Sequence, residues 1–131
     1  MNTLSAFEAH FDRNKIILTG RFIYHDMDAA NALLIQIQEH ANELGREEHL
    51  EVTFFADYYC TWMRKRLVAF FTRLADINRS VNKCSVNLVW GNEFDDEDVC
   101  ELGEVLAERS GLPVKYLSVE IEELTELRKT A

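Results

Sequence analysis

Apolar positions change period several times along the chain, and each change marks an element. Phe7–Phe11 alternates loosely and runs into the turn residues Asp12-Arg13-Asn14. Lys15–Leu18 and Phe22–Tyr24 are β-prone and flank Gly20, which fits a strand with a bend or bulge. These segments predict an N-terminal antiparallel pair. The period then switches: Ala30, Leu33, Leu34, Ile37, Ala41 and Leu44 recur at three- and four-residue steps and share one helical face over residues 28–44. Asp26 or Asp28 is placed to cap the start of that helix and Gly45 to release its end.

Val52–Ala56 has the length and composition of a strand. Thr61–Asn78 reads as a second helix with Met63, Leu67, Phe70, Phe71, Leu74 and Ile77 inward, and with Trp62, Arg66 and Arg73 off that stripe. Ser85–Trp90 is a strand apolar on both faces, which places it inside a sheet covered by helices. Asp95–Ser110 is a third helix with Val99, Leu102 and Leu106 as its seam. Gly103 costs about 1 kcal/mol inside a helix, so its presence points to a close contact. Gly111 and Pro113 stop this helix, Val114–Val119 is the last strand, and Ile121–Lys129 reads as a short terminal helix. The order is β-β-α-β-α-β-α-β. Strands separated by helices require crossovers, so the fold class is α/β: a mixed, mainly parallel sheet with right-handed connections. One domain over residues 1–131, with a core of 5–120, accounts for the whole pattern.

Length and composition narrow the class. The chain has 131 residues, only five Gly and one Pro, and no apolar run near the 20 residues of a membrane span. The start, MNTLSAFEAHFDR, lacks a basic stretch followed by an apolar core, so a cytoplasmic protein without membrane insertion is expected. Cys60, Cys84 and Cys100 form no CxxC pair, and His10, His25, His40 and His49 form no HxxxH or HExxH spacing. Three ordinary thiols, no metal and no cofactor follow. The net charge of -9 disfavours nucleic acid. Yet Arg64, Lys65, Arg66, Arg73, Arg79 and Lys83 face Asp76 alone within residues 60–83, an island of basic charge. It reads either as the solvent face of a helix or as a surface for an acidic partner.

Two segments are candidates for chemistry or recognition. The loop after Ala56 (Asp57-Tyr58-Tyr59-Cys60-Thr61) has no glycine, which removes phosphate-cradling loops, and no G-x-S-x-G elbow exists. Glu93, Asp95, Asp96, Glu97 and Asp98 lack the glycine of a calcium loop. They read as helix capping, as a protein-contact surface, or as a small catalytic or metal-binding cluster. Thr61 stands before the second helix, where its hydroxyl can cap the helix or accept a phosphate beside Arg64 and Lys65. Tyr58, Tyr59, Trp62, Arg64, Lys65 and Arg66 surround it with the residue types of interface hot spots. The tyrosines can equally finish the core.

At these residues the chain resembles the SiaC-type regulatory phosphoproteins, small bacterial domains with a STAS-like, anti-anti-sigma-factor-like fold. Val86-Asn87-Leu88-Val89-Trp90 followed by Gly91-Asn92-Glu93-Phe94-Asp95-Asp96-Glu97-Asp98 and then Gly103-Glu104 is similar to that family's Trp-ended strand, aromatic/acidic stretch, D-D-E-D run and helical Gly-Glu. Tyr58-Tyr59-Cys60-Thr61-Trp62-Met63-Arg64-Lys65-Arg66-Leu67 resembles its Y-F-N-T-S-S-x-K-x-L, and Gly20 through Tyr24 echoes its N-terminal segment. The resemblance spans residues 14–119. It implies a non-enzymatic partner switch in which a Ser/Thr kinase modifies Thr61 and a PP2C-type phosphatase restores it. The unmodified form would activate a diguanylate cyclase and so promote cyclic-di-GMP production and biofilm growth. Cys60, Trp62 and Met63 stand where the family has Asn and Ser-Ser, which leaves open a constitutive adaptor of the same fold. A homo-oligomer is compatible with the sequence but not predicted by it.

Overall fold

The computed structural model describes residues 7–119; the helix expected over 121–129 and the outer ends of the 1–131 domain lie outside the described residues. The elements are β1 (Glu8–Phe11), β2 (Lys15–Phe22), a 3-10 turn (Tyr24–Asp26), α1 (Met27–Glu43), β3 (His49–Tyr59), α2 (Thr61–Arg79), β4 (Ser85–Glu93), α3 (Glu97–Ser110) and β5 (Val114–Val119). The five strands lie in chain order, β1-β2-β3-β4-β5. β1 runs antiparallel to β2, and every later neighbour is parallel. The mixed, mainly parallel α/β architecture is the one expected from the periodicity.

Three successive crossovers of one hand that advance in one direction leave their helices on one face of the sheet. α1 packs against α2 and α2 against α3. Between helices and sheet lie Ile16, Leu18 and Phe22 of β2, Leu50, Val52 and Phe54 of β3, and Val86, Leu88 and Trp90 of β4, all buried. β4 is interior to the sheet as expected, but the described helices cover only one of its faces. On the other face the Phe55 ring lies over Gly91, where a β-carbon would come within 2.2 Å of Phe55 Cδ1.

An aromatic column crosses the fold from β1 to α3. Phe7 stacks on Phe22 (5.1 Å between centroids), Phe22 on Tyr59 (5.4 Å) and Tyr59 on Trp90 (5.0 Å). The Trp90 indole donates to the Val99 carbonyl at 2.8 Å, and Gly103 lies against the indole itself. Offset aromatic contacts add about 0.5–1.5 kcal/mol each beyond the area they bury. The column therefore ties sheet to helix at the end where the βα loops emerge.

Several helix ends differ from the sequence reading. Tyr24 belongs to the 3-10 turn rather than a strand, and Asp26, though at the N-cap of α1, makes no side-chain cap bond. Gly45 does not end α1: Leu44 takes an extended conformation and its N–H returns to the Ala41 carbonyl. Cys60, not Thr61, is the N-cap of α2. α3 begins at Glu97 with Asp96 as its cap, the Asp96 carboxylate accepting from the Val99 N–H at 3.1 Å. Gly111 closes α3 in the left-handed region (φ 75°), as its position suggested.

Candidate functional site

Parallel connectivity brings three βα loops to one end of the sheet. Tyr24–Asp26 follows β2, Cys60-Thr61 follows β3, and Phe94–Asp96 follows β4. Ligand crevices in α/β sheets form where the strand order reverses. The order of these parallel strands never reverses, so this end presents a surface with shallow depressions.

A bulge decides which tyrosine reaches that surface. Gly20 pairs with Ala56 and Arg21 with Tyr58, so Asp57 is an extra residue on β3. Gly20 adopts φ 111°, which glycine tolerates without strain. Before the bulge the inward residues of β3 are even-numbered, Leu50 through Ala56; after it the parity reverses. Tyr59 turns inward and is 1% exposed, whereas Tyr58 points out and is 42% exposed. The Arg21 guanidinium covers the Tyr58 ring at 5.6 Å and lies 3.5 Å from Asp57. Tyr59 therefore belongs to the aromatic column, the core alternative of the sequence reading, and not to the recognition surface that was its other alternative. Burial pushes its phenol well above the ordinary tyrosine range, and the Asp57 and Asp96 carboxylates add to the shift.

Thr61 is the first residue of α2 and is exposed. Cys60 ahead of it is buried and holds the turn: its N–H donates to the Phe22 carbonyl at 2.9 Å, and its thiol approaches Met27 Sδ at 3.5 Å. The helix start carries no side-chain cap and no acidic residue in its first turn. That terminus keeps its positive partial charge. Arg64 leans back, its Nε donating to the Tyr59 carbonyl at 3.1 Å, while Lys65 stays exposed.

Trp62, 44% exposed, is a ridge with depressions on three sides. One of about 370 Å³ is lined by Tyr24, Tyr58, Cys60, Thr61, Trp62 and Lys65. Another of about 310 Å³ lies among Tyr24, His25, Met27, Asp28 and Trp62. The third, about 220 Å³, is bounded by Trp62, Lys65, Arg66 and Ala69. Arg66 stacks its guanidinium on the indole at 4.8 Å. Tyr24, 74% exposed, is the most exposed aromatic side chain lining these depressions and is a site residue that the sequence reading missed. A β-branched and aromatic run led it to be read as strand, although the His25-Asp26 pair that follows marks a turn.

The acidic segment is resolved into separate roles. Asp96 caps α3, while Asp95, Glu97 and Asp98 are exposed and Phe94 beside them is 68% exposed. Among the described residues no group of three or more His, Cys, Asp or Glu side chains could hold a metal ion. The three cysteines are unpaired, with Cys60 and Cys84 buried. None of the described helices is long and apolar enough to cross a membrane.

The comparisons with known proteins agree with this fold. A chain from the crystal structure of the Pseudomonas aeruginosa diguanylate cyclase SiaD in complex with its activator SiaC superposes with a TM-score of 0.73 at 17% identity, covering 88% of this chain and 94% of that one. The crystal structure of apo-SiaC from the same organism gives a TM-score of 0.68 at 15% identity, covering 88% and 93% of the two chains. At such identities the likeness is one of fold. No curated protein sequence matches the chain. The model of the SiaC family regulatory phosphoproteins matches residues 4–119, and the chain belongs to that family.

Proposed function

We propose that this chain is a partner-switching activator of a diguanylate cyclase, docking through the Thr61 turn and the first half of α2 and released by phosphorylation of Thr61. The observation that carries the reading is an exposed threonine at the first position of an uncapped helix, set among Tyr24, Tyr58, Trp62 and Lys65. Such a surface joins aromatic area to basic charge, the composition of an interface hot spot for an acidic partner. A relative of the same fold is an activator in complex with a diguanylate cyclase.

Phosphorylation would add roughly two negative charges at the positive end of α2. The helix terminus and the nearby Lys65 accommodate that charge, so the domain stays folded. An acidic partner seated on Trp62 and Lys65 is instead repelled. In this reading a Ser/Thr kinase and a PP2C-type phosphatase set the state, and the protein works in the cytoplasm.

Retention of cell proteins on immobilised wild-type chain and on Thr61→Glu tests this reading, with a diguanylate cyclase identified by mass spectrometry. The wild type should retain the cyclase and Thr61→Glu should lose it; equal retention overturns the switch. Peptide mapping of the chain isolated from its own cells should place a phosphate on Thr61. The second reading, a constitutive adaptor, is favoured by the buried Cys60 at the N-cap of α2 and by Trp62 in its first turn. It predicts binding insensitive to Thr61→Glu and damaged by Trp62→Ala.

A further inference from the structure

We infer that the outward faces of α2 and α3 form one self-complementary surface through which two copies of this chain associate. On α2, Arg66, Ala69 and Arg73 recur at helical spacing on one exposed stripe. On α3, Glu101, Val105 and Glu108 do the same. None of these four charged side chains forms an ion pair among the described residues. A basic stripe and an acidic stripe thus lie on neighbouring helices, each with a small apolar residue at its middle.

The two stripes match in spacing. Arg66 and Arg73 lie seven positions apart on α2, and Glu101 and Glu108 lie seven apart on α3. At about 1.5 Å per residue, Arg66, Ala69 and Arg73 lie about 8, 12 and 18 Å along α2. Glu101, Val105 and Glu108 lie about 6, 12 and 17 Å along α3 by the same rise. A two-fold axis parallel to the helices and between them sets α2 of one copy on α3 of the other, twice over. Arg66 then meets Glu101, Ala69 meets Val105, and Arg73 meets Glu108. A two-fold axis across the helices would set like charges on each other and is disfavoured. The interface is isologous and closes at two copies.

Because Arg66 stacks on Trp62, the second copy covers part of the docking surface described above. Self-association and effector docking therefore compete. The competition rests on the proposed function; the self-association does not.

Sedimentation velocity of the full chain tests the interface. Wild type should form a reversible dimer at low ionic strength and weaken by about tenfold or more in high salt, because exposed charges are screened within ~10 Å at 0.1 M. Arg66→Glu/Arg73→Glu should be monomeric alone, as should Glu101→Lys/Glu108→Lys. An equimolar mixture of the two should dimerise, since each swapped stripe then faces its complement. Arg73→Glu, remote from Trp62, gives the same reading should the double variant misfold. A wild type that stays monomeric in low salt overturns the inference. So does wild-type-like dimerisation of either swapped variant, or a mixture that stays monomeric. None of these outcomes touches the cyclase-retention assay, so the two readings fail separately.

Discussion

Gly103 of α3 leaves room for the indole of Trp90: a β-carbon at that position would fall 2.3 Å from Trp90 Cδ1 and 2.5 Å from Nε1. The indole cannot retreat easily, because it stacks on Tyr59 and donates to Val99 in the same helix. Two effects oppose each other in Gly103→Ala. Helix propensity favours alanine by about 1 kcal/mol, whereas overpacking a filled core costs about 1–3 kcal/mol or more. With contacts this short the clash wins, and the variant should be less stable by about 2 kcal/mol. Urea unfolding followed by tryptophan fluorescence measures it; a variant more stable than wild type would show that α3 moves freely over Trp90.

Tyr59 offers the opposite sign. Its hydroxyl is buried and has no hydrogen-bond partner among the described residues. An unsatisfied buried polar group costs about 1–3 kcal/mol, so Tyr59→Phe keeps the stack and should gain about 1 kcal/mol in thermal or urea unfolding. The pH dependence follows from the same burial. The folded-state pKa is raised above the ordinary value of about 10, so the folded state holds the proton more tightly than the unfolded chain does. Stability is fully present below that ordinary value and falls as the pH rises above it. Tyr59→Phe should flatten that alkaline slope, and an unchanged slope would place its origin elsewhere.

The acidic run should respond unevenly to substitution. Asp96→Ala removes the cap on the Val99 N–H and should cost about 1 kcal/mol, while Asp96→Asn restores most of it. Asp95→Ala, at an exposed neighbouring position, should stay within about 0.5 kcal/mol of wild type. Equal losses at both positions would mean that bulk charge, not the cap, supports α3.

At the docking surface, stability and binding should separate. Thr61→Glu places an acid at the first turn of α2, which favours the helix by about 0.3–1 kcal/mol, so the melting temperature should hold or rise while cyclase binding falls. Trp62→Ala removes an exposed ring and should change stability by less than about 0.5 kcal/mol. As a hot spot it should weaken binding by about 2 kcal/mol or more. Calorimetric titration against the retained cyclase reads both, and loss of folding in either variant would place these residues in the core.

Much of the architecture is written in local periods. The three- and four-residue steps of Leu34, Ile37 and Ala41, or of Leu67, Phe70 and Leu74, require helices, and all of these residues are buried. The Ser85–Trp90 run requires an interior strand, Gly111 a helix stop, and Gly103 a close neighbour. Each follows from geometry within about one turn of chain. The exposure of Trp62 was legible for the same reason, since it falls off the inward stripe of its helix.

What only the tertiary structure decided depends on pairing between distant segments. Whether Tyr58 or Tyr59 faces solvent turns on one extra residue on β3, and its register is set by β2 through Gly20 and Arg21. A shift of one residue exchanges the two faces of a strand, and no pattern inside Asp57–Thr61 reveals it. Likewise Tyr24 joins Trp62 because β2 and β3 end side by side. The stripes of α2 and α3 lie on neighbouring helices because β3 and β4 pair side by side and α2 packs against α3. Periodicity along a chain determines which residues go inward; the register between strands determines which of the outward ones meet.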